Sequence, residues 1–137
     1  MDSIKYLILH NLKNNSNTYL DSSKVCNGVG VFALTDIPKD TILFVDVPPD
    51  SYFFSWEELS GIDDRILNKL KSLCNTDING VNLPSSLNNF NFSFFVNHSD
   101  VSNVYHNKEK NQYISIKDIN AGDEIVCSYD SNEIDWK

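Results

Sequence analysis

The sequence predicts a β-rich α+β domain. Many short runs of β-branched and aromatic residues are separated by Gly, Pro, Asn and Asp, which is typical of strands joined by turns. Only one stretch shows the apolar spacing of an amphipathic helix. The chain has 137 residues, 41% of them hydrophobic and 12% aromatic. This length and composition suit one folded domain over residues 1–137 rather than two domains or a disordered chain.

The first third predicts three strands. Residues 4–9 are a short apolar run, which we assign as a strand, and the polar residues 11–17 follow as a loop. Residues 28–33 lead from a glycine turn into β-branched and aromatic side chains, and residues 41–45 are almost entirely apolar; both patterns predict strands. The intervening residues 36–40 include two Asp and one Pro and predict a tight turn.

The middle of the chain predicts the helix. Apolar side chains recur there at helical spacing: Ile62, Ile66, Leu67, Leu70 and Leu73. We therefore expect a helix over residues 63–73. Ser55 and Glu58 have the spacing of a capping box. Residues 75–91 predict irregular chain with a turn at Asn79-Gly80.

The last third returns to strands. They are predicted at residues 92–96, 101–106, 112–116 and 124–127. This part also echoes the first third, because Leu43 follows Asp36-Ile37 at the same distance as Ile125 follows Asp118-Ile119. Each copy predicts a strand, a tight turn and a second strand.

Charge and cysteine content narrow the classes of function. The formal net charge is -8, whereas phosphate contacts require an excess of Lys and Arg, so we expect no direct nucleic-acid binding. An acidic surface suits a Lys-rich partner, or it serves solubility alone. The three cysteines lack a C-x-x-C pair, so we expect reduced thiols, no metal site and an intracellular protein. The longest apolar run near the N-terminus, residues 6–9, is too short for a signal peptide or a membrane span.

Three segments carry residue types able to do chemistry. Gly28-Val29-Gly30 would let a ligand approach main-chain amides closely, although an ordinary hairpin turn explains it equally well. Asn97-His98-Ser99, with Asn103 beyond it, could bind the edge of a heterocycle or could satisfy local backbone groups. Tyr129 closes the last strand as a half-buried core residue or as a catalytic oxygen.

Taken in order, these segments resemble the SET-domain protein lysine methyltransferases, especially compact single-domain members of viral or bacterial type. Residues 27–37, NGVGVFALTDI, resemble the family's G-x-G-x-F-A-x-x-D-I opening. Residues 95–103, FVNHSDVSN, resemble F-I-N-H-S-C-x-P-N. Residues 119–125, INAGDEI, followed by Ser128-Tyr129, resemble I-x-x-G-E-E-L...D-Y. The likeness spans about residues 23–130.

Five positions depart from the family pattern. Asp40 stands in place of Gly, Asp100 of Cys, Ser102 of Pro, Cys127 of Phe or Tyr, and Ser128 of Asp. In the family, the position of Cys127 is associated with the number of methyl groups added. The sequence therefore leaves mono-, di- and trimethylation open.

The resemblance implies the SET fold, with several small sheets, one main helix in a variable insert at about residues 50–92, and a knot-like C-terminal passage. It implies S-adenosylmethionine as cofactor and a lysine in a basic protein segment as acceptor, with a histone as one candidate. The implied cofactor-binding residues are Gly28, Gly30, Asn97 and His98. The implied catalytic residue is Tyr129, and the implied substrate-channel residues are Phe95, Tyr105 and Cys127.

Two other functions stay open at this point. One is a catalytically inactive SET-fold module that binds a basic peptide, for which the changes at Ser102, Cys127 and Ser128 leave room. The other is a small-molecule methyltransferase on the same fold. A homodimer is compatible with so small a domain, and a histone target would place the protein in the nucleus or on chromatin.

Overall fold

The computed structural model describes residues 3–45, 51–74, 76–86 and 88–129. Its helices are α1 (Ser3–Asn14), α2 (Asp64–Leu73) and a 3-10 helix (Phe92–Phe95). Its strands are β1 (Thr18–Ser22), β2 (Val29–Ala33), β3 (Ile42–Leu43), β4 (Tyr52–Ser55), β5 (Gly80–Leu83), β6 (Asn97–His98), β7 (Val104–Asn107), β8 (Gln112–Ser115) and β9 (Glu124–Cys127).

One sheet carries most of the fold, in the order β1-β2-β9-β7-β8-β3, with β6 beside β9. Its strands pair antiparallel except that β9 runs parallel to β6 and β7. In the insert, β4 and β5 form a separate antiparallel pair. Short strands in more than one sheet, with few helices, confirm the predicted β-rich α+β class.

Two hydrophobic clusters stabilise these elements. The main cluster lies on the large sheet and comprises Val31, Ala33, Ile37, Leu43, Val96, Val104, Tyr113, Ile119, Ile125 and Cys127. The smaller one packs under α2 and comprises Leu59, Leu70, Cys74 and Val81. Burial raises the pKa of the Cys74 thiol to about 11, because apolar surroundings disfavour the thiolate.

The strand predicted at residues 4–9 is wrong, because this segment belongs to α1. A four-residue apolar run fits a strand and a helix equally well. Ile4, Ile8 and Leu12 show a four-residue spacing over a longer window, and they are 65%, 53% and 62% exposed. The helix therefore contributes no buried residue to either cluster.

The predicted helix of the insert is confirmed as α2. Asp63 caps it, since its carboxylate accepts from the Arg65 amide at 2.8 Å. The capping box also forms: the Ser55 amide donates to Glu58 at 2.9 Å, and the Glu58 amide donates to the Ser55 hydroxyl at 3.2 Å. It caps the turn after β4 rather than α2, and the predicted irregular segment that follows α2 contains β5.

The strand predicted at residues 92–96 is also wrong, because residues 92–95 form the 3-10 helix. The Asn91 side chain caps it by accepting from the Ser93 amide at 2.9 Å. The tight turn separates neighbouring aromatic rings: Phe94 stacks on Phe90 at 4.4 Å between ring centroids, whereas Phe95 packs against the main cluster. A local polar cap thus outweighs the strand preference of aromatic residues.

The other predicted strands are confirmed with shifted ends. β2, β8 and β9 match their predictions closely. β3 is shorter than predicted, because Phe44 has a positive φ of 60° that ends the extended chain after Leu43. β7 begins only at Val104, since the preceding polar residues form a loop.

The two echoing segments pair with each other. Ile37 and Ile119 exchange backbone hydrogen bonds of 2.8 Å in both directions. Each segment also has an Asp side chain that accepts from a backbone amide of the other segment. Asp36 accepts from the Ala121 amide at 2.9 Å, and Asp118 accepts from the Lys39 amide at 2.8 Å. The sequence echo therefore marks a local two-fold relationship between the β2–β3 connection and the β8–β9 connection.

Candidate active site

Strand β9 brings the predicted site segments together. On one side it pairs with β2 through Val31↔Ile125 and Phe32↔Glu124. On the other side it runs parallel to β6, with Asn97 opposite Val126 and His98 opposite Cys127. The glycine turn before β2, the Asn-His pair of β6 and the tyrosine after β9 therefore meet at one end of these three strands.

Tyr129 is fixed at both its backbone and its side chain. Its hydroxyl donates to the Val96 carbonyl at 2.6 Å, and its amide donates to Nδ1 of His98 at 3.0 Å. The centroids of the Tyr129 and His98 rings lie 5.2 Å apart. Because Nδ1 accepts a hydrogen bond, the neutral ring carries its proton on Nε2, which lies 3.2 Å from Asp100 Oδ1.

Asn97 connects β6 to the glycine turn. Its Nδ2 donates to the Val29 carbonyl at 2.9 Å and has a longer contact of 3.4 Å with Glu124 Oε2. Both amide hydrogens are directed into the protein, so Oδ1 is the acceptor left for a ligand. Asn97 and His98 are both half-buried, which leaves part of each side chain accessible.

The two glycines of the predicted turn have different surroundings, since Gly30 lies in β2 opposite Asp21 and Gly28 precedes that strand. A Cβ on Gly30 would lie 2.5 Å from Glu124 Oε2 and 3.2 Å from Ser23 Cβ, so a larger residue there would displace the Glu124 carboxylate. A Cβ on Gly28 would meet only the Cys26 thiol, at 3.8 Å. No contact of the described chain explains glycine at position 28, where a missing side chain would let a ligand approach the backbone closely.

Sequence reasoning missed Glu124 as a site residue. Its carboxylate accepts from the Ser23 hydroxyl at 2.8 Å and from the Lys24 amide at 2.7 Å. Glu124 belongs to the C-terminal motif, which was the only signal for it in the sequence. Its hydrogen-bond partners Ser23 and Lys24 lie about a hundred residues earlier, so no local pattern predicts these contacts.

Asn103 stabilises β9, the strand that brings the site together. Its side chain donates to the Glu124 carbonyl at 2.8 Å and accepts from the Val126 amide at 2.9 Å. It thus satisfies two backbone groups of β9. This buried side chain positions β9 and takes the structural role that the sequence left open.

The three predicted channel residues do not all lie on the core side of the sheet. Cys127 lies in the main cluster, and Phe95 and Tyr129 pack against it. Burial alternates along β7, with Val104 turned into the core and the half-buried Tyr105 on the opposite face. The grouping of Phe95 and Cys127 near Tyr129 is consistent with the predicted channel, and the role of Tyr105 stays a prediction.

A cavity of about 580 Å³ lies elsewhere, between the insert and the far end of the sheet. Phe53, Phe94, His106 and Tyr113 are among its lining residues, and the predicted site residues are not. Among the described residues, no group of His, Cys, Asp or Glu is arranged to hold a metal ion. No helix in the described ranges is long and apolar enough to cross a membrane.

Comparison with known proteins decides the family. A sequence model of the SET domain matches residues 28–130. The chain belongs to the SET-domain family. This confirms the predicted family and fold. A search of curated proteins found no match.

Solved structures show the same fold. A crystal structure from Plasmodium falciparum, described as a candidate histone methyltransferase, is 25% identical with a TM-score of 0.56, over 82% of this chain and 92% of that chain. A Chaetomium thermophilum Polycomb Repressive Complex 2 structure bound to an inhibitor is 20% identical with a TM-score of 0.58, over 91% of this chain. An autoinhibited structure of that complex bound to S-adenosylmethionine is 23% identical with a TM-score of 0.57, over 86% of this chain. This SET domain spans about 16% of those two larger chains.

Proposed function

We propose that this SET domain transfers methyl groups from S-adenosylmethionine to lysine side chains of a protein. The observation that carries the proposal is the convergence on β9 of an open glycine turn, a half-buried Asn-His pair and a doubly anchored tyrosine. The donor set fits the cofactor, because backbone groups beside Gly28 and the Asn97 and His98 side chains suit a ligand with a heterocycle and an amino-acid end. S-adenosylmethionine supplies an electrophilic methyl group on a sulfonium.

Tyr129 contributes an oxygen rather than a proton. Since its hydroxyl hydrogen is donated to the Val96 carbonyl, its remaining lone pairs are the groups that can face a positively charged reaction centre. A fixed oxygen of this kind stabilises developing charge and aligns the reacting groups. His98 holds the Tyr129 backbone in place through Nδ1.

The lysine must lose its proton before it can react. A lysine of pKa about 10.4 is neutral in only about one part in a few thousand at pH 7. Apolar walls disfavour the ammonium form and lower this cost. Phe95 and the buried Cys127 provide such walls beside Tyr129. Bound S-adenosylmethionine would supply the methyl group: the new N–C bond would form as the S–C bond breaks, S-adenosylhomocysteine would leave, and the lysine proton would pass to solvent.

The partner that suits this chain is a basic, lysine-containing protein segment. The net charge of -8 favours such a segment electrostatically, and a histone tail is one example. Four acidic residues are candidate contacts: the exposed Glu57 and Glu58, and Asp46 and Asp50, which lie outside the described residues. The proposal places the enzyme inside the cell, on chromatin if a histone is the substrate. It includes no contact with nucleic acid or membrane, and it is compatible with a homodimer.

Mass spectrometry tests the transfer. The protein is incubated with S-adenosylmethionine and with core histones or a library of lysine peptides, and the substrates are analysed for added methyl groups. We expect methylation at specific lysines, and none when lysine is replaced by arginine. If the folded protein binds basic peptides but adds no methyl group to any of them, the SET-fold interaction module replaces the enzyme as its function.

A further inference from the structure

The Glu124 carboxylate lies where the three segments of the candidate site meet. It accepts from the Ser23 hydroxyl and the Lys24 amide, and it contacts the Asn97 amide. We propose that Glu124 is a positioning residue that holds the 23–26 turn and Asn97 in the arrangement that binds the cofactor. The inference rests on the proposed function, because it is the cofactor site whose shape this side chain sets.

The position of the carboxylate follows from the sheet. Glu124 is paired with Phe32 in the β2–β9 register, and the missing side chain of Gly30 leaves room for its Oε2. Any larger residue at position 30 would displace it. The glycine that sequence reasoning assigned to the cofactor therefore serves Glu124 directly.

The turn that Glu124 holds has further support from Ser23. The Ser23 hydroxyl donates to Glu124 and accepts from the amides of Val25 and Cys26 at 3.1 and 3.2 Å. One carboxylate thereby fixes a hydroxyl that in turn organises two more backbone groups. Residues 24–26 are exposed, so little packing would hold this turn in place without Glu124.

Glu124 also orients the Asn97 amide. The Asn97 Nδ2 group lies between the Glu124 carboxylate and the Val29 carbonyl. The nitrogen end of the Asn97 amide therefore faces the protein. A glutamine at position 124 would bring its own NH₂ group against either Asn97 or the Lys24 amide, since a single oxygen serves only one side. The substitution keeps the shape of the side chain but removes its negative charge and its capacity to accept on both sides.

The test compares Glu124→Gln with Glu109→Gln, a matched change at a surface glutamate remote from β9. Calorimetric titration with S-adenosylmethionine measures cofactor affinity, and hydrogen exchange without cofactor measures the order of the 23–26 turn. We expect Glu124→Gln to weaken binding about tenfold, as for loss of one charge-assisted hydrogen bond. We expect faster exchange at the Lys24 amide and unchanged exchange in α2 and β8. The Glu109 variant should match the wild type in both measurements.

A double-mutant comparison separates positioning from general stability. If Glu124 acts through the 23–26 turn, Glu124→Gln should weaken binding much less in a Ser23→Ala background than in the wild type. Wild-type affinity in Glu124→Gln, or equal weakening in both backgrounds, overturns the inference. If the wild-type protein itself binds no S-adenosylmethionine, the proposed function fails, and the exchange at Lys24 still decides whether Glu124 holds the turn.

Discussion

The Tyr129 hydroxyl donates a 2.6 Å hydrogen bond to the Val96 carbonyl, across a sequence separation of 33 residues. The acceptor immediately precedes Asn97, so this bond ties the proposed catalytic oxygen to the strand that carries the proposed cofactor ligands. The placement of Tyr129 and the formation of β6 are therefore coupled.

Tyr129→Phe removes this oxygen and keeps the ring. We expect methyl transfer to fall about a hundredfold, in the range seen when one fixed electrostatic group is removed from an active site. The free energy of unfolding should fall by only about 1 kcal/mol, for one hydrogen bond. Mass spectrometry and chemical denaturation measure the two effects. Tyr19→Phe is the control, because Tyr19 stacks on Phe32 with centroids 5.7 Å apart and lies outside the proposed catalytic residues. Equal activity of the Tyr129 variant and the wild type would exclude a catalytic role.

Gly28 and Gly30 should differ in how far alanine at each position lowers the free energy of unfolding. Gly28→Ala places a methyl group where it meets only the Cys26 thiol, so we expect normal stability and cofactor affinity weakened by about tenfold or more, since even modest clashes cost over 1 kcal/mol. Gly30→Ala forces the Glu124 carboxylate aside and should lower the free energy of unfolding by about 1–3 kcal/mol. Thermal unfolding and calorimetric titration distinguish the two. A Gly28 variant that is destabilised yet binds normally would contradict the assignment of Gly28 to the cofactor site.

Asp40 and Gly122 occupy equivalent positions in the two echoing segments, and both have a positive φ, of 66° and 92°. An L-residue in this region costs about 1 kcal/mol relative to glycine. Asp40→Gly should therefore raise the free energy of unfolding by about 0.5–1 kcal/mol, and Gly122→Ala should lower it by about 1 kcal/mol. Urea denaturation measures both. Destabilisation by Asp40→Gly would show that the aspartate makes a compensating local interaction.

Cys74 should make stability pH-dependent in the alkaline range. Its pKa is raised from 9.0 to about 11, so between these values the unfolded chain loses a proton that the folded chain retains. The contribution is fully present below pH 9 and is lost as pH rises through the folded pKa, up to about 3 kcal/mol in total. Denaturation at pH 8 and pH 10.5, with Cys74→Ala as control, isolates this contribution from other titrating groups. A pH slope that is the same in both proteins would contradict it.

The elements that could be predicted from the sequence are those fixed locally. α2 combines a clear helical spacing with the Asp63 cap, and β9 combines β-branched residues with the glycine turn before it. α1 could not be predicted from its first apolar residues, because four such residues fit two structures. The 3-10 helix after Asn91 depends on a side-chain cap that composition does not reveal.

In the candidate site, too, the local motifs could be predicted from the sequence and the long-range contacts could not. The resemblance identified Asn97, His98 and Tyr129, and the structure brings them together through β9. It gave no role to Glu124, whose contacts with Ser23 and Lys24 exist only after β2 and β9 have paired. Contacts between segments a hundred residues apart depend on sheet register, and no local pattern encodes that.

Cofactor binding is the central claim, and calorimetric titration of the purified protein with S-adenosylmethionine tests it most directly, beside an Asn97→Ala variant. Asn97 joins β6 to the glycine turn through the Val29 carbonyl at 2.9 Å. We predict saturable binding by the wild type and loss of that binding in the variant, with both proteins folded. Absence of binding by the folded wild type, or equal binding by the variant, would contradict the proposed site.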